Sequence, residues 1–178
     1  PELFMDRIYD SSKRHFNLFF DNAWNSLVEM DSYGHDVEAG WLLCEAARVL
    51  EDRQLMDRAN RLALDVTDAC LAEGLSDKGY MMYEKKGGRT TGHASWWGQI
   101  ETMIACVNAW QISGNDVYLQ SADTVWTFVK DCMIDREYGE WYSDCFDGEP
   151  KKDTPKVSMW RCPYHTVRLG VEIHNRLK

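Results

Sequence analysis

The sequence predicts an all-α fold of helical-hairpin repeats with short β-hairpins between them. Apolar residues recur at the helical period of 3.6 in pairs of adjacent segments. The same order of elements then returns, since the equivalent residues Leu50 and Ile112 are 62 positions apart. At 178 residues, with 44% hydrophobic and 28% charged residues, the chain has the length and composition of one globular domain.

The first repeat is the clearest. Apolar periodicity predicts helices over 37–50 and 55–71, and the three-residue link between them makes these an antiparallel hairpin. Residues 79–84 alternate in the manner of a short strand, and Gly87-Gly88 is typical of the turn that follows it.

The second repeat has the same elements. Helices are predicted over 99–112 and 117–133, separated by the stop signal Ser113-Gly114-Asn115, and an aromatic extended segment follows at 139–146. Incomplete units flank the two repeats. A helix through Ile8 and an extended segment over 15–20 precede them, and a helix over 163–177 follows.

Helical hairpins bury their inner faces by closing into a ring or by stacking into a solenoid with capped ends. Neither end of this array has the polar face of a cap, and the last helix carries Val167, Leu169 and Val171 without a partner helix. A ring of six hairpins at this period needs roughly 370 residues. The chain would then form about half of such a barrel, and its exposed faces favour a homodimer.

Charge and cysteine usage narrow the class of partner. A net charge of −9 has the wrong sign for binding nucleic acid or an anionic membrane surface, so a neutral small molecule is expected. No apolar run is long enough to span a bilayer, and no signal peptide is recognisable. The six cysteines are widely spaced, without a zinc motif, which predicts a cytoplasmic protein with free thiols.

Three predicted helix starts share charged, histidine or tryptophan side chains that core packing does not require. They are His35 with Glu38, Trp97 with Glu101, and His165 with Arg168 and Glu172. The amino-terminal ends of inner helices converge in a ring, so these side chains are expected to meet. Two imidazoles can supply an acid and a base at neutral pH, oriented by a carboxylate. The structural alternative is that His35 caps a helix, that His165 is a core residue and that most tryptophans only pack.

Four motifs carry a family resemblance. They are SYGHDVEA at 32–39, WWGQIE at 96–101, IDREYGEW at 134–141 and WRCPYH at 160–165. In this order they resemble the carboxyl-terminal half of the N-acylglucosamine 2-epimerase superfamily. The block Cys162-Pro163-Tyr164-His165, preceded by Trp160, favours its cellobiose 2-epimerase branch.

The resemblance implies an (α/α)₆ barrel, of which residues 1–178 would be a single domain forming the carboxyl-terminal half, with the amino-terminal half absent from this sequence. It implies inversion of C2 of the reducing-end glucose in a β-1,4-linked disaccharide, through a cis-enediol and without a metal or other cofactor. His35 and His165 would be the acid and base, and Glu38 the carboxylate paired with His35. Residues assigned to substrate binding are Trp96, Trp97, Glu101, Trp160 and Arg168.

Three other functions stay open at this point. The first is an N-acylglucosamine 2-epimerase or a mannose epimerase or isomerase of the same fold. The second is a six-hairpin glycosidase, in which Glu38 and Glu101 would form a carboxylate pair about 5 to 9.5 Å apart. The third is a sugar-binding half-barrel that keeps the aromatic residues but has no turnover.

Overall fold

The computed structural model describes residues 1–178, and five α-helices form its frame. These are α1 (Tyr33–Val49), α2 (Arg53–Gly74), α3 (Trp96–Ser113), α4 (Val117–Phe128) and α5 (Tyr164–Arg176). Helices α1 and α2 pack as one hairpin and α3 and α4 as the next, while α5 packs on α3. The predicted helical-hairpin repeat is therefore present.

Helix α3 is the centre of the molecule. It contacts all four other α-helices, and thirteen of its 18 residues are buried, which requires neighbours on every side. Its neighbours α1 and α5 are the other inner helices of the array, and α2 and α4 lie outside them. The helix begins after Ser95, whose hydroxyl accepts a hydrogen bond from the Gly98 N–H at 3.4 Å.

Helix α5 is docked by polar contacts. None of its residues is fully buried, although Leu169 packs against the core. Near its end, the Arg176 guanidinium donates to Asn108 Oδ1 and Gln111 Oε1, each at 3.0 Å, and also bonds Glu45. Two arginines, Arg168 and Arg176, therefore fix this helix against α1 and α3.

Eight short strands form three small antiparallel sheets. The strands are β1 (Tyr9–Asp10), β2 (His15–Phe16), β3 (Met30–Asp31), β4 (Glu84–Lys86), β5 (Arg89–Thr91), β6 (His93–Ser95), β7 (Asp144–Phe146) and β8 (Glu149–Pro150). Their order is β1-β2, β3-β4-β5 and β6-β7-β8. The β6–β7 pairing places Ser95 opposite Asp144, so the loop segments of two successive repeats share one sheet.

The prediction of a strand over 79–84 is wrong. The strand begins only at Glu84, and upstream of it Met81 forms only an isolated antiparallel bridge with Leu75 while its own N–H and carbonyl bond the side chain of Gln99. Gln99 Oε1 accepts from the Met81 N–H, and its Nε2 donates to the Met81 carbonyl, both at 2.8 Å. A buried amide therefore holds this segment against α3.

Other boundaries also differ from the predictions. Helix α1 starts four residues earlier than predicted because Tyr33, Gly34 and Asp36 are buried by tertiary contacts. Helix α4 ends at Phe128 and continues as a π-helical turn over Val129–Met133. Only Asp144–Phe146 of the extended segment 139–146 is a strand. At the amino terminus, Phe4–Ile8 forms a π-helical turn, and strand structure within 15–20 is limited to β2.

Two apolar grooves flank the array. One is lined by residues of the amino-terminal segment and α1, including Phe4, Phe16 and Leu42. The other lies between α4 and α5 and includes Trp126 and Leu169. No helix combines the length and the apolar character that crossing a membrane requires.

Two glycines of α1 meet different surroundings. A Cβ at Gly34 would lie 2.5 Å from Cζ3 of the Trp97 indole, whereas a Cβ at Gly40 would meet only Ala63 Cα at 3.5 Å. The first distance is a severe overlap and the second is ordinary contact. Gly34 therefore permits the close approach of α1 to the start of α3.

We expect Gly34→Ala to lower the free energy of unfolding by about 1–3 kcal/mol, because a methyl group forces the indole to shift. Gly40→Ala is the matched control and should raise stability by up to ~1 kcal/mol through helix propensity. Both are measured by urea denaturation of the protein expressed from its complete reading frame. A Gly34→Ala protein as stable as wild type would contradict the packing described.

Candidate active site

One cavity of about 590 Å³ collects residues from the starts of the three inner helices and from the β6–β7 pair. Its lining residues are His35, Glu38, Tyr83, His93, Ser95, Trp96, Trp97, Asp144, Trp160 and His165. Six of the eight predicted site residues are in this lining. The other two, Glu101 and Arg168, lie directly behind it.

The two histidines face one indole. The Trp97 ring centroid is 4.6 Å from that of His35 and 6.0 Å from that of His165. The two imidazoles are therefore separated by no more than the sum of these distances. This separation agrees with the prediction that the helix starts converge on one site.

His165 is oriented by a buried carboxylate. Its Nδ1 lies 2.6 Å from Glu101 Oε1, and because an ionised carboxylate only accepts, Nδ1 carries the proton. Glu101 is fully buried, and its second oxygen accepts from the Trp41 indole N–H at 2.9 Å. The tautomer that this bond selects leaves the His165 Nε2 lone pair free to accept a proton.

His35 is oriented differently. It is the third residue of α1, and its Nδ1 lies 2.7 Å from the Ser32 hydroxyl oxygen. Ser32 is thus a positioning residue that the sequence analysis did not identify as part of the site. The predicted pairing of Glu38 with His35 is not present in this structure, where the Glu38 carboxylate accepts from Arg168 instead.

Arg168 is the cation that binds Glu38. Its guanidinium donates to Glu38 Oε1 at 2.5 Å and to Glu101 Oε1 at 3.0 Å, and it stacks 4.2 Å from the Tyr164 ring centroid. Arg168 therefore bridges two carboxylates with a single positive charge. Arg168 was predicted to bind the substrate, but it is not part of the cavity lining. Its guanidinium contacts the carboxylates of Glu38 and Glu101 instead.

The tryptophans occupy three positions. Trp97 is mostly buried and lies beside both imidazoles, whereas Trp96 packs its face against the Arg161 guanidinium at 4.9 Å and its edge towards His165. Trp160 is 86% exposed at the rim of the cavity. Such an exposed indole offers an open apolar face to a ligand.

Four further side chains of the lining were not assigned to the site from the sequence, namely Tyr83, His93, Ser95 and Asp144. Burial lowers the pKa of His93, against the opposing effect of Asp144, and burial raises the pKa of Asp144. Strand pairing brings His93 and Asp144 together over some fifty residues of sequence, so no local motif marked them. The aromatic-rich extended segment over 139–146 was the available signal.

The cluster of Glu38, Glu101 and His165 resembles a metal-ligand set, because their ligand atoms lie within 4.8 Å of one another. The Arg168 guanidinium already supplies the positive charge between the two carboxylates. These residues therefore do not fit a metal centre as they are arranged. The same arrangement argues against a glycosidase pair, since Glu101 is buried and both its oxygens are occupied by internal donors.

The N-acylglucosamine 2-epimerase (GlcNAc 2-epimerase) family matches residues 1–168 of the chain. The chain belongs to this family. The cellobiose 2-epimerase of Bacteroides fragilis is 40% identical to this epimerase-family chain over 176 residues, covering 96% of it and 44% of that relative.

Solved structures agree with this assignment. A sugar epimerase from a ruminal bacterium and the cellobiose 2-epimerase of Bacillus thermoamylovorans match with TM-scores of 0.94 and 0.91, at 34% and 33% identity. Each match covers 98% of this epimerase-family chain and 45% of the other chain. The predicted fold class is confirmed. The chain spans just under half the length of these relatives.

The buried hydrogen bond from the Trp41 indole to Glu101 should contribute to the stability of the fold. We expect Trp41→Phe to lower the free energy of unfolding by about 2 kcal/mol, because the buried carboxylate loses a donor that water cannot replace. Trp110→Phe is the control, since the Trp110 N–H bonds Asp116 on the surface at 3.1 Å, and it should cost under about 0.5 kcal/mol. Urea denaturation measures both, and equal losses would contradict a special role for Glu101.

Proposed function

We propose that the protein is a sugar 2-epimerase that inverts C2 of the reducing-end glucose of a β-1,4-linked disaccharide such as cellobiose. The observation that carries this proposal is the pair of imidazoles, His35 and His165, on one indole in one cavity. Epimerisation at carbon requires one group to remove a proton and another to return it to the opposite face. Identity to cellobiose 2-epimerases supports the choice of sugar.

The reaction begins from the open-chain aldose, because only the aldehyde at C1 makes the C2 proton acidic. One histidine, as the neutral imidazole, removes this proton and becomes an imidazolium, water gives a proton to the C1 oxygen, and a cis-enediol results. Rotation about the C2–C3 bond then presents the other face. The second histidine, which enters the reaction as an imidazolium, donates its proton to C2. The C1 hydroxyl returns its proton to the hydroxide left by that water, and the aldehyde is restored in the mannose configuration.

The surrounding residues support these roles. Glu101 holds the protonated Nδ1 of His165 and stabilises the imidazolium that forms when Nε2 takes a proton. Ser32 holds the His35 ring in the helix start. Glu38 is part of the site through Arg168 and lines the cavity, so we propose that it meets the sugar hydroxyls together with Trp96, Trp97 and Trp160.

We also propose that this chain supplies about half of an (α/α)₆ barrel. The two apolar grooves, each of about 650 Å³, lie on opposite flanks of the helical array, where further hairpins would pack. Covering both grooves removes apolar surface from water, which favours completion of the ring.

Replacing either histidine tests the mechanism. We expect His35→Asn and His165→Asn, in the protein expressed from its complete reading frame, each to slow deuterium incorporation at C2 of cellobiose by at least ~100-fold. NMR in D₂O follows the exchange. Asp153→Asn, at an exposed residue outside the cavity, is the control and should exchange at the wild-type rate.

Full exchange in both variants would refute the two-histidine assignment. Release of free glucose by the wild-type protein would indicate a glycosidase, and binding of cellobiose without exchange would indicate a sugar-binding protein. A panel of cellobiose, lactose, mannose and N-acetylglucosamine separates the cellobiose branch from the other epimerases and isomerases of the family.

The 178-residue chain by itself gives a further prediction. We expect it to be poorly active and to form a homodimer through its apolar grooves, because these would otherwise remain exposed. Size-exclusion chromatography with light scattering measures the mass, and the D₂O assay measures turnover. Rapid turnover by a monomer of this chain would contradict the half-barrel proposal.

A further inference from the structure

His93 and Asp144 form a polar pair in the cavity wall that the proposed proton transfer does not use. Their side chains project from the neighbouring strands β6 and β7 and are partly exposed to the cavity. His93 Nε2 lies 3.7 Å from Asp144 Oδ1, which is too far for a direct hydrogen bond. Neither side chain has another hydrogen-bond partner, so both can still bind a ligand.

The spacing suits a hydroxyl group. An oxygen placed about 2.8 Å from each atom spans a gap of this size, accepting from the imidazole N–H and donating to the carboxylate. Stacking between Tyr83 and Phe146, at centroid distances of 4.6 and 5.1 Å, fixes the orientation of the imidazole. Burial lowers the pKa of His93 and so favours the neutral ring, in which one nitrogen donates.

The pair lies apart from the proposed proton-transfer groups in the chain of ring contacts. These contacts lead from His35 to Trp97 at 4.6 Å, from Trp97 to Tyr83 at 6.3 Å, and from Tyr83 to His93 at 4.6 Å. His93 stacks on Tyr83 and Phe146 and makes no direct ring contact with His35 or His165. The pair therefore lines the same cavity without contacting the imidazoles assigned to proton transfer.

We propose that His93 and Asp144 bind a hydroxyl of the second, non-reacting sugar unit and thereby make the site prefer a disaccharide to a monosaccharide. The aromatic rings beside the pair suit the apolar faces of that sugar, and the charged carboxylate supplies the stronger of the two hydrogen bonds. This inference rests on the proposed function for the position of the reacting unit. It assigns specificity to residues on the β6–β7 sheet that take no part in proton transfer.

Two variants test the pair in the protein expressed from its complete reading frame. His93→Phe keeps the stacked ring and removes the nitrogens, and Asp144→Asn keeps the shape and removes the charge. We expect the ratio of kcat/KM for cellobiose over glucose, from C2 exchange in D₂O, to fall roughly 3- to 10-fold in His93→Phe and roughly 10- to 100-fold in Asp144→Asn. The control Asp153→Asn, which is exposed and outside the cavity, should leave the ratio unchanged.

A binding titration makes the result independent of turnover. Calorimetry should show that cellobiose binds the wild-type protein more tightly than glucose and that both variants lose this difference, while circular dichroism checks that they fold. An unchanged cellobiose-to-glucose ratio in folded Asp144→Asn, or equal binding of the two sugars by the wild type, would overturn the inference. Failure of the wild type to exchange C2 of any sugar would instead refute the proposed epimerase reaction. The calorimetric titration would still test whether His93 and Asp144 bind the second sugar unit.

Discussion

The buried carboxylate of Glu101 is the interaction on which the rest of the site depends. It lies in the second turn of α3 and accepts hydrogen bonds from Trp41 on α1 and from His165 and Arg168 on α5. An ionised carboxylate without such partners would be strongly destabilising in the interior. The same carboxylate therefore links the three inner helices to one another and orients the His165 ring.

Arg168 extends this constraint towards the cavity. By binding both Glu38 and Glu101, it compensates one of the two negative charges of the carboxylate cluster and couples the start of α1 to α5. Helix α5 has no fully buried residue, so these ion pairs and those of Arg176 contribute a large part of its docking. The helix that carries one imidazole is thus held by ion pairs together with the packing of Leu169 against the core.

The cavity has two chemically different parts. Around Trp97 lie the two imidazoles to which we assign proton transfer, and each is oriented through Nδ1 by a different kind of partner. Around Tyr83 and Phe146 lies the polar pair to which we assign sugar binding. The starts of helices carry the two imidazoles, whereas the β6–β7 sheet carries the polar pair. In the proposed mechanism, sugar recognition and proton transfer are therefore assigned to different elements of the fold.

The sequence by itself determined the helical hairpins, their repeat and the convergence of His35, Trp97 and His165. Local periodicity and equivalent positions in a repeat are enough for these features, because they depend on short-range pattern. Only the tertiary structure decided the partners of each side chain. Glu38 bonds Arg168, which is 130 residues away, Gln99 bonds the backbone of Met81, and His93 lies near Asp144 across two repeats. Such contacts follow from how helices and strands pack in space, and no short-range pattern contains that information.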